Sequence, residues 1–154
     1  MTEPGRALEG IRVLELAQVV AGPFCGTLMA EFGAEVIKIE KPGRGDDLRR
    51  LGPAEQGHSY WFAVDNRNKK LMTLDLHVPK GQDIVRKLVE QCDVVLENFR
   101  PGVLEKWGLG WETLHAINSI QGVIKFVGKD SAPQALRPEE VNRLVALAVA
   151  AQTS

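Results

Sequence analysis

The chain has 154 residues, of which 44% are apolar and 25% charged, and its formal net charge is −1. That is enough chain to bury the core of one domain, and a near-neutral balance gives no overall attraction to nucleic acid or to an anionic membrane surface. No apolar run approaches the roughly 20 residues of a membrane span, and Met1 to Leu8 lacks the apolar stretch of a secretory leader. The expectation is a cytoplasmic protein with no nucleic-acid or membrane partner.

Ile11-Arg-Val-Leu-Glu-Leu-Ala17, between Gly10 and Gly22-Pro23, reads as a buried strand. Pro23 suits the start of a helix, where its missing N–H costs nothing. Phe24, Leu28, Met29 and Phe32 then recur at helical spacing, and Gly33 closes the segment. Glu35 to Glu40 is a second strand, so the opening is a βαβ unit with parallel pairing and a right-handed crossover.

Residues 43–65 read as a long polar loop carrying the aromatic patch Tyr60-Trp-Phe62, and a loop of that length is usually functional or covered. The basic run Arg67 to Lys70 precedes a third strand, Leu71 to Leu76. Pro79 opens a helix with Ile84, Val85, Leu88, Val89 and Cys92 on one face. Asp93 to Glu97 is a fourth strand, Pro101-Gly102 starts a short helix through Lys106, Trp111 to Ile117 is another, and Gly122 to Val127 is a fifth strand. Pro138 opens a terminal helix striped by Val141, Leu144, Val145 and Ala148. The pattern predicts an α/β, Rossmann-like fold: an open, mostly parallel sheet with flanking helices, formed as a single domain over residues 1–154. Residues 1–8 and 150–154 are expected as loose ends.

Ligands of such sheets lie beyond the carboxyl ends of the strands, which directs attention to the loops after Ala17, Glu40 and Glu97. In Gln18 to Pro23 a lone Gly22 and a helix start would favour an anion, although a tight βα turn accounts for the same residues. Asn98, Phe99 and Arg100 offer an amide, a flat apolar face and a forked cation, a set that suits an adenine nucleotide with phosphates as well as it suits a solvent-facing turn. Lys41 and the run Arg67 to Lys70 supply charge for phosphates or a solvated surface. Cys25 and Cys92 read as small buried hydrophobes, and His58, His77 and His115 as scattered surface or turn residues, so no metal site is expected.

Taken together, Leu8-Glu-Gly-Ile-Arg-Val-Leu-Glu-Leu, Ala21-Gly-Pro-Phe, Phe32-Gly-Ala-Glu-Val-Ile-Lys-Ile-Glu-Lys-Pro, Gly45-Asp, Asn66-Arg-Asn-Lys-Lys, Leu74-Asp-Leu and Asp93-Val-Val-Leu-Glu-Asn-Phe-Arg-Pro-Gly-Val-Leu resemble the N-terminal region of family III CoA-transferases. That superfamily includes formyl-CoA and carnitine CoA-transferases and the α-methylacyl-CoA racemases. The resemblance runs in order from about Leu8 to Gly128. It implies coenzyme A or an acyl-CoA as substrate, a carboxylic acid as second substrate, no metal, and a homo-oligomer. It places Val20 and Ala21 near the thioester, Lys41 against the phosphates, and Leu74, Asn98, Phe99, Arg100 and Lys106 at other CoA-contacting positions.

The resemblance further implies an aspartate that attacks the thioester to give an acyl-carboxylate anhydride, dividing the acyl exchange into easier steps. Here the expected glycine-rich turn is replaced by a divergent loop over residues 129–137, and the aspartate position falls on Val141. Glu140 is the nearest carboxylate able to substitute, while Glu139 and Glu140 also fit as first-turn acids of the helix opened by Pro138. The chain is much shorter than family members usually are, and the expectation is that the family's second domain is absent. Two readings follow: the CoA-binding part of a CoA-transferase, truncated and inactive alone, or a non-catalytic CoA-binding or protein-interaction module derived from that family. The racemase branch, which uses a His/Asp pair, is disfavoured because no histidine lies near Gly128.

Overall fold

The computed structural model describes residues 5–118 and the backbone of 122–125. Its centre is a five-stranded sheet built from β1 (Arg12–Glu15), β2 (Glu35–Glu40), β5 (Lys70–Thr73), β6 (Val94–Glu97) and β7 (Gly122–Lys125), in the order β5-β2-β1-β6-β7. Every pairing within it is parallel. The chain winds outward from β1 through β2 to β5, then crosses back to β6 and β7 on the other side. The order therefore reverses between β1 and β6, where open α/β sheets place their ligand crevice.

Helices α1 (Ala21–Glu31), α3 (Pro79–Val89), α4 (Val103–Lys106) and α5 (Trp111–Ile117) lie in the crossovers from β1 to β2, β5 to β6 and β6 to β7. One face of the sheet, with Leu14, Leu16, Ile39 and Val95, packs against Val85 and Val89 of α3, Leu104 of α4 and Leu114 of α5. The other face, with Val13, Ala17, Val36, Val94 and Leu96, packs against Ala30 of α1. This division follows the period-two alternation of side chains along each strand.

Among the described residues the expected strands and helices are present with shifted ends: β1 stops at Glu15, β5 runs from Lys70 to Thr73, and β6 begins at Val94. Helix α1 starts at Ala21, two residues before Pro23. Its packing face differs from the one the spacing predicts. Phe24, Leu28 and Phe32 are 48%, 39% and 57% exposed, and the residues turned inward are Gly22, Pro23, Gly26, Thr27 and Ala30. The cause is close approach: a Cβ on Gly22 would lie 2.2 Å from the Cβ of Ala17, and one on Gly26 would lie 2.1 Å from a Glu15 carboxylate oxygen. Only small residues allow the helix to lie on that face.

Residues 43–65, expected as a loop, hold a 3-10 turn (Asp47–Arg50), a two-stranded hairpin of β3 (Ala54–Glu55) and β4 (His58–Ser59), and helix α2 (Tyr60–Asp65). Ser59 caps α2, its hydroxyl accepting from the Phe62 amide at 3.3 Å. The Arg49 guanidinium lies over the Phe62 ring, 3.7 Å from its centroid. Cys92 is buried as expected, whereas Cys25 is only half-buried. The continuation of β7 to Val127, the divergent loop 129–137, Glu140 and the terminal helix from Pro138 lie outside the described residues.

Candidate functional site

A cleft of about 470 Å³ opens beyond the carboxyl ends of the strands. Gln18 after β1, Ile39 to Pro42 at the end of β2, Leu74 to His77 after β5, Phe99 after β6 and Trp107 after α4 line it. Its apolar wall comes from Ile39, Leu74, Leu76, Phe99 and Trp107; Gln18, Glu40, Lys41, Asp75 and His77 add polar groups. Trp107 is an edge-to-face hub, with ring centroids 5.4 Å from Phe99 and 4.8 Å from His77. The Asp75 carboxylate accepts the His77 backbone N–H at 2.9 Å and lies 3.0 Å from its ring Nδ1. Those two contacts hold the Asp75 carboxyl below the usual carboxylate range.

Sequence and geometry meet at the β6–α4 junction. Glu97 accepts the Phe99 amide at 2.7 Å, and Gly102, at φ 83°, makes the left-handed turn that starts α4. Asn98 faces the neighbouring loop. Its Oδ1 accepts from Gln18 N at 2.8 Å and its Nδ2 donates to Gln18 O at 2.6 Å, so one side chain stitches β6 to the end of β1 across the switch point.

Beneath the first loop lies a buried ionic chain. Glu15 and Lys38 are register partners on β1 and β2, and their ions meet at 2.8 Å with both side chains fully buried. Lys38 also pairs with Asp46 at 2.8 Å and donates to Ala17 O at 2.8 Å. Lys69 approaches the second Glu15 oxygen at 2.8 Å, a close charge contact without hydrogen-bond alignment, and donates to Pro23 O and Asp65 O. Two cations and two carboxylates thus balance. Burial pushes the Asp46 carboxyl up, but Lys38 and the amides of Leu48 and Val19 outweigh it and hold it below its ordinary value. Burial likewise raises Glu40 but Arg49 and the Asp46 amide win, leaving it lowered. For Lys69 burial prevails over Glu15, and its pKa falls.

Of the residues singled out from sequence, Lys41, Leu74 and Phe99 line the cleft. Asn98 holds Gln18 at its edge. Val20 and Ala21 are exposed at the start of α1, and Arg100 and Lys106 are exposed around α4 without lining the cleft. Within the run Arg67 to Lys70, Lys69 is not a surface cation: its side chain is buried and its charge is spent on the ionic chain. Glu15, Lys38, Asp46, Asp75, His77 and Trp107 carry site structure that sequence reasoning did not select. A signal existed for two of them, since Glu15 stands between Val13 and Ala17, and Lys38 follows Val36, on inward-facing positions where a charge needs a partner.

An all-parallel sheet of this order, flanked by helices on both faces, is a Rossmann-like fold. Within that class the chain belongs to CoA-transferase family III, whose model matches residues 8–120. It is 58% identical over 116 residues to a succinyl-CoA–D-citramalate CoA-transferase of Chloroflexus aurantiacus, covering 75% of this chain and 29% of that protein. It is 43% identical over 129 residues to a formyl-CoA:oxalate CoA-transferase of Bradyrhizobium, covering 83% and 30%. Among solved structures, a hypothetical protein from Mycobacterium tuberculosis superposes with a TM-score of 0.74 at 38% identity, over 88% of this chain and 38% of that one. A CAIB/BAIF family protein from Brucella suis gives 0.72 at 30% identity, over 97% and 50%. The chain thus spans about 30% of the length of the curated relatives it matches.

Proposed function

We propose that this chain is the CoA-binding part of a CoA-transferase that moves CoA between carboxylic acids through an acyl-carboxylate anhydride, and that it is inactive by itself. The observation that carries the reading is the cleft: a flat apolar wall of Leu74, Phe99 and Trp107 beside the Lys41 ammonium suits an adenine ring with attached phosphates. In this reading Lys41 pairs with phosphate, Leu74 and Phe99 enclose the base, and Asn98 orders Gln18 beside the pantetheine arm. Arg100 and Lys106 add attraction for the anionic end from outside the cleft. Catalysis requires a carboxylate nucleophile, for which Glu140 is the sequence's candidate. We place the protein in the cytoplasm as a homo-oligomer; exposed Val20, Phe24, Leu28 and Phe32 support contact with further protein.

Calorimetric titration with CoA, NAD and ATP tests the binding role. CoA is expected to bind most tightly, with Phe99→Ala weakening it about tenfold through lost apolar contact. NAD or ATP binding as tightly as CoA would overturn the reading. An acyl-exchange assay, with Glu140→Gln as control, tests inactivity of the chain alone: no exchange is expected in either protein, and exchange that disappears in the variant would overturn that part of the reading and assign the nucleophile.

A further inference from the structure

Asp46 and the lysines of the ionic chain do not line the cleft, yet together with Asn98 they close on one stretch of backbone. Lys38 takes Ala17 O, Asn98 takes both Gln18 N and Gln18 O, Asp46 takes Val19 N at 2.9 Å through Oδ1 and 3.2 Å through Oδ2, and Lys69 takes Pro23 O. Four segments distant in sequence therefore fix the loop on either side of Val20 and Ala21. Val19, at its middle, has φ 68°, a left-handed conformation that a β-branched residue rarely adopts. Such a conformation persists only where its surroundings over-determine it, and it marks places where geometry matters to function.

We propose that Asp46 is a positioning residue for the thioester arm of the ligand. By holding the Val19 amide it keeps the loop in its left-handed turn and sets the backbone at Val20 and Ala21 where α1 begins. Asp46 is itself fixed: it is fully buried, its own amide donates to Glu40 Oε2 at 2.8 Å, and its Oδ1 accepts from Leu48 N at 2.9 Å. Lys38 neutralises its charge at 2.8 Å. Of this loop only Gln18 lines the cleft, and although Asp46 also touches Glu40 at its edge, the apolar wall of Leu74, Phe99 and Trp107 comes from other segments, so Asp46 acts on the far end of CoA more than on its nucleotide end. This inference rests on the CoA reading and adds how the reactive end of the ligand is oriented.

The test compares CoA with adenosine bisphosphate, its nucleotide end without the pantetheine arm, by calorimetry on the full chain and on Asp46→Ala, which removes the acceptor that Val19 N donates to. In the variant, CoA is expected to lose about tenfold in affinity while adenosine bisphosphate stays within about twofold. Equal losses for both ligands, or none, would overturn the positioning role. Because Asp46→Ala leaves an unbalanced buried cation, Lys38→Met/Asp46→Ala serves as a second variant; in it Glu15 keeps Lys69, and the same selective loss is expected. Amide hydrogen exchange gives a readout free of ligand. Val19 should lose protection in both variants while β1 and β2 keep theirs, and unchanged protection at Val19 sinks the proposal. A wild-type chain that binds neither ligand while Val19 still depends on Asp46 would discard the CoA reading and leave loop positioning standing.

Discussion

Strand β1 and the two residues after it send Leu14 and Leu16 to one side of the sheet and Val13, Glu15 and Ala17 to the other, and the two sides are held by different physics. Toward α3, α4 and α5 the interior is apolar and self-sufficient, and it opens at its upper edge into the cleft. Toward α1 it is narrow, lined by small residues and threaded by Lys69, Glu15, Lys38 and Asp46. Apolar burial is non-directional and tolerates sliding. A buried ionic chain does not, because each ion must keep its partner to offset lost hydration. The side that carries the loop between β1 and α1 is thus the side where position is specified, and the side that carries the cleft wall is where most of the apolar stability resides.

The largest effect should come from breaking the ionic side singly. Lys38→Met leaves Glu15 with Lys69 but strands Asp46, fully buried, with no cation. The expected loss in urea denaturation is about 3–5 kcal/mol. On the apolar side Val85→Ala, at a fully buried position of α3, removes methyl groups and leaves a small cavity, for about 2 kcal/mol. A Lys38→Met cost below that of Val85→Ala would mean that water enters beneath α1, and the contrast between the faces would fail.

Acid should separate the faces next. Asp46 and Glu40 have folded-state carboxyls below their ordinary values, so as pH falls the unfolded chain takes up protons before the folded one does. Their contribution is complete above the ordinary carboxylate range near pH 4 and is lost as pH falls through it toward the lower folded values. Chemical denaturation followed from pH 6 to pH 3 should show this slope in the wild type. In Val85→Ala the slope should persist at lower overall stability. In Lys38→Met the Asp46 share should shrink, because the leading cause that lowers its pKa is gone. Equal slopes in all three proteins would show that the ionic chain is not what acid attacks.

The fold was legible where punctuation is strong. Strand β2 has the bounds Glu35–Glu40 that its β-branched run and Pro42-Gly43 set, and α3 opens at Pro79. Helix α2 was not legible, because it is six residues long with none buried, so no apolar period marks it; its one signal is Ser59 as cap. The face of α1 misled because Phe24, Leu28 and Phe32 have the right period, while close packing on Ala17 and Glu15 demands Gly22 and Gly26. Of the residues that line the cleft, Lys41 and Phe99 were readable from strand ends, whereas Leu74 was singled out only through the family resemblance. The hold of Asp46 on Val19 spans 27 positions of sequence and depends on tertiary closure, and the Glu15–Lys38 pair depends on strand register. Neither is written in any local pattern.

The finest comparison uses the two thiols, one on each side. Cys92 belongs to the apolar cluster, is 2% exposed, and burial above all pushes its pKa up to about 11. At pH 8 only about one molecule in a thousand then carries the reactive thiolate. Cys25, half-buried near α1, is also raised, first by burial and then by Glu15, with Lys69 opposing. Iodoacetamide on the native protein should therefore label Cys25 first, with mass spectrometry locating the adduct, and reach Cys92 only as fast as the fold opens globally. Lys38→Met should accelerate both labels, since it lowers the cost of opening the whole domain. Should Cys92 react early in the wild type while Cys25 waits, the apolar side would be the one that opens locally, and the specified side would be the more stable of the two.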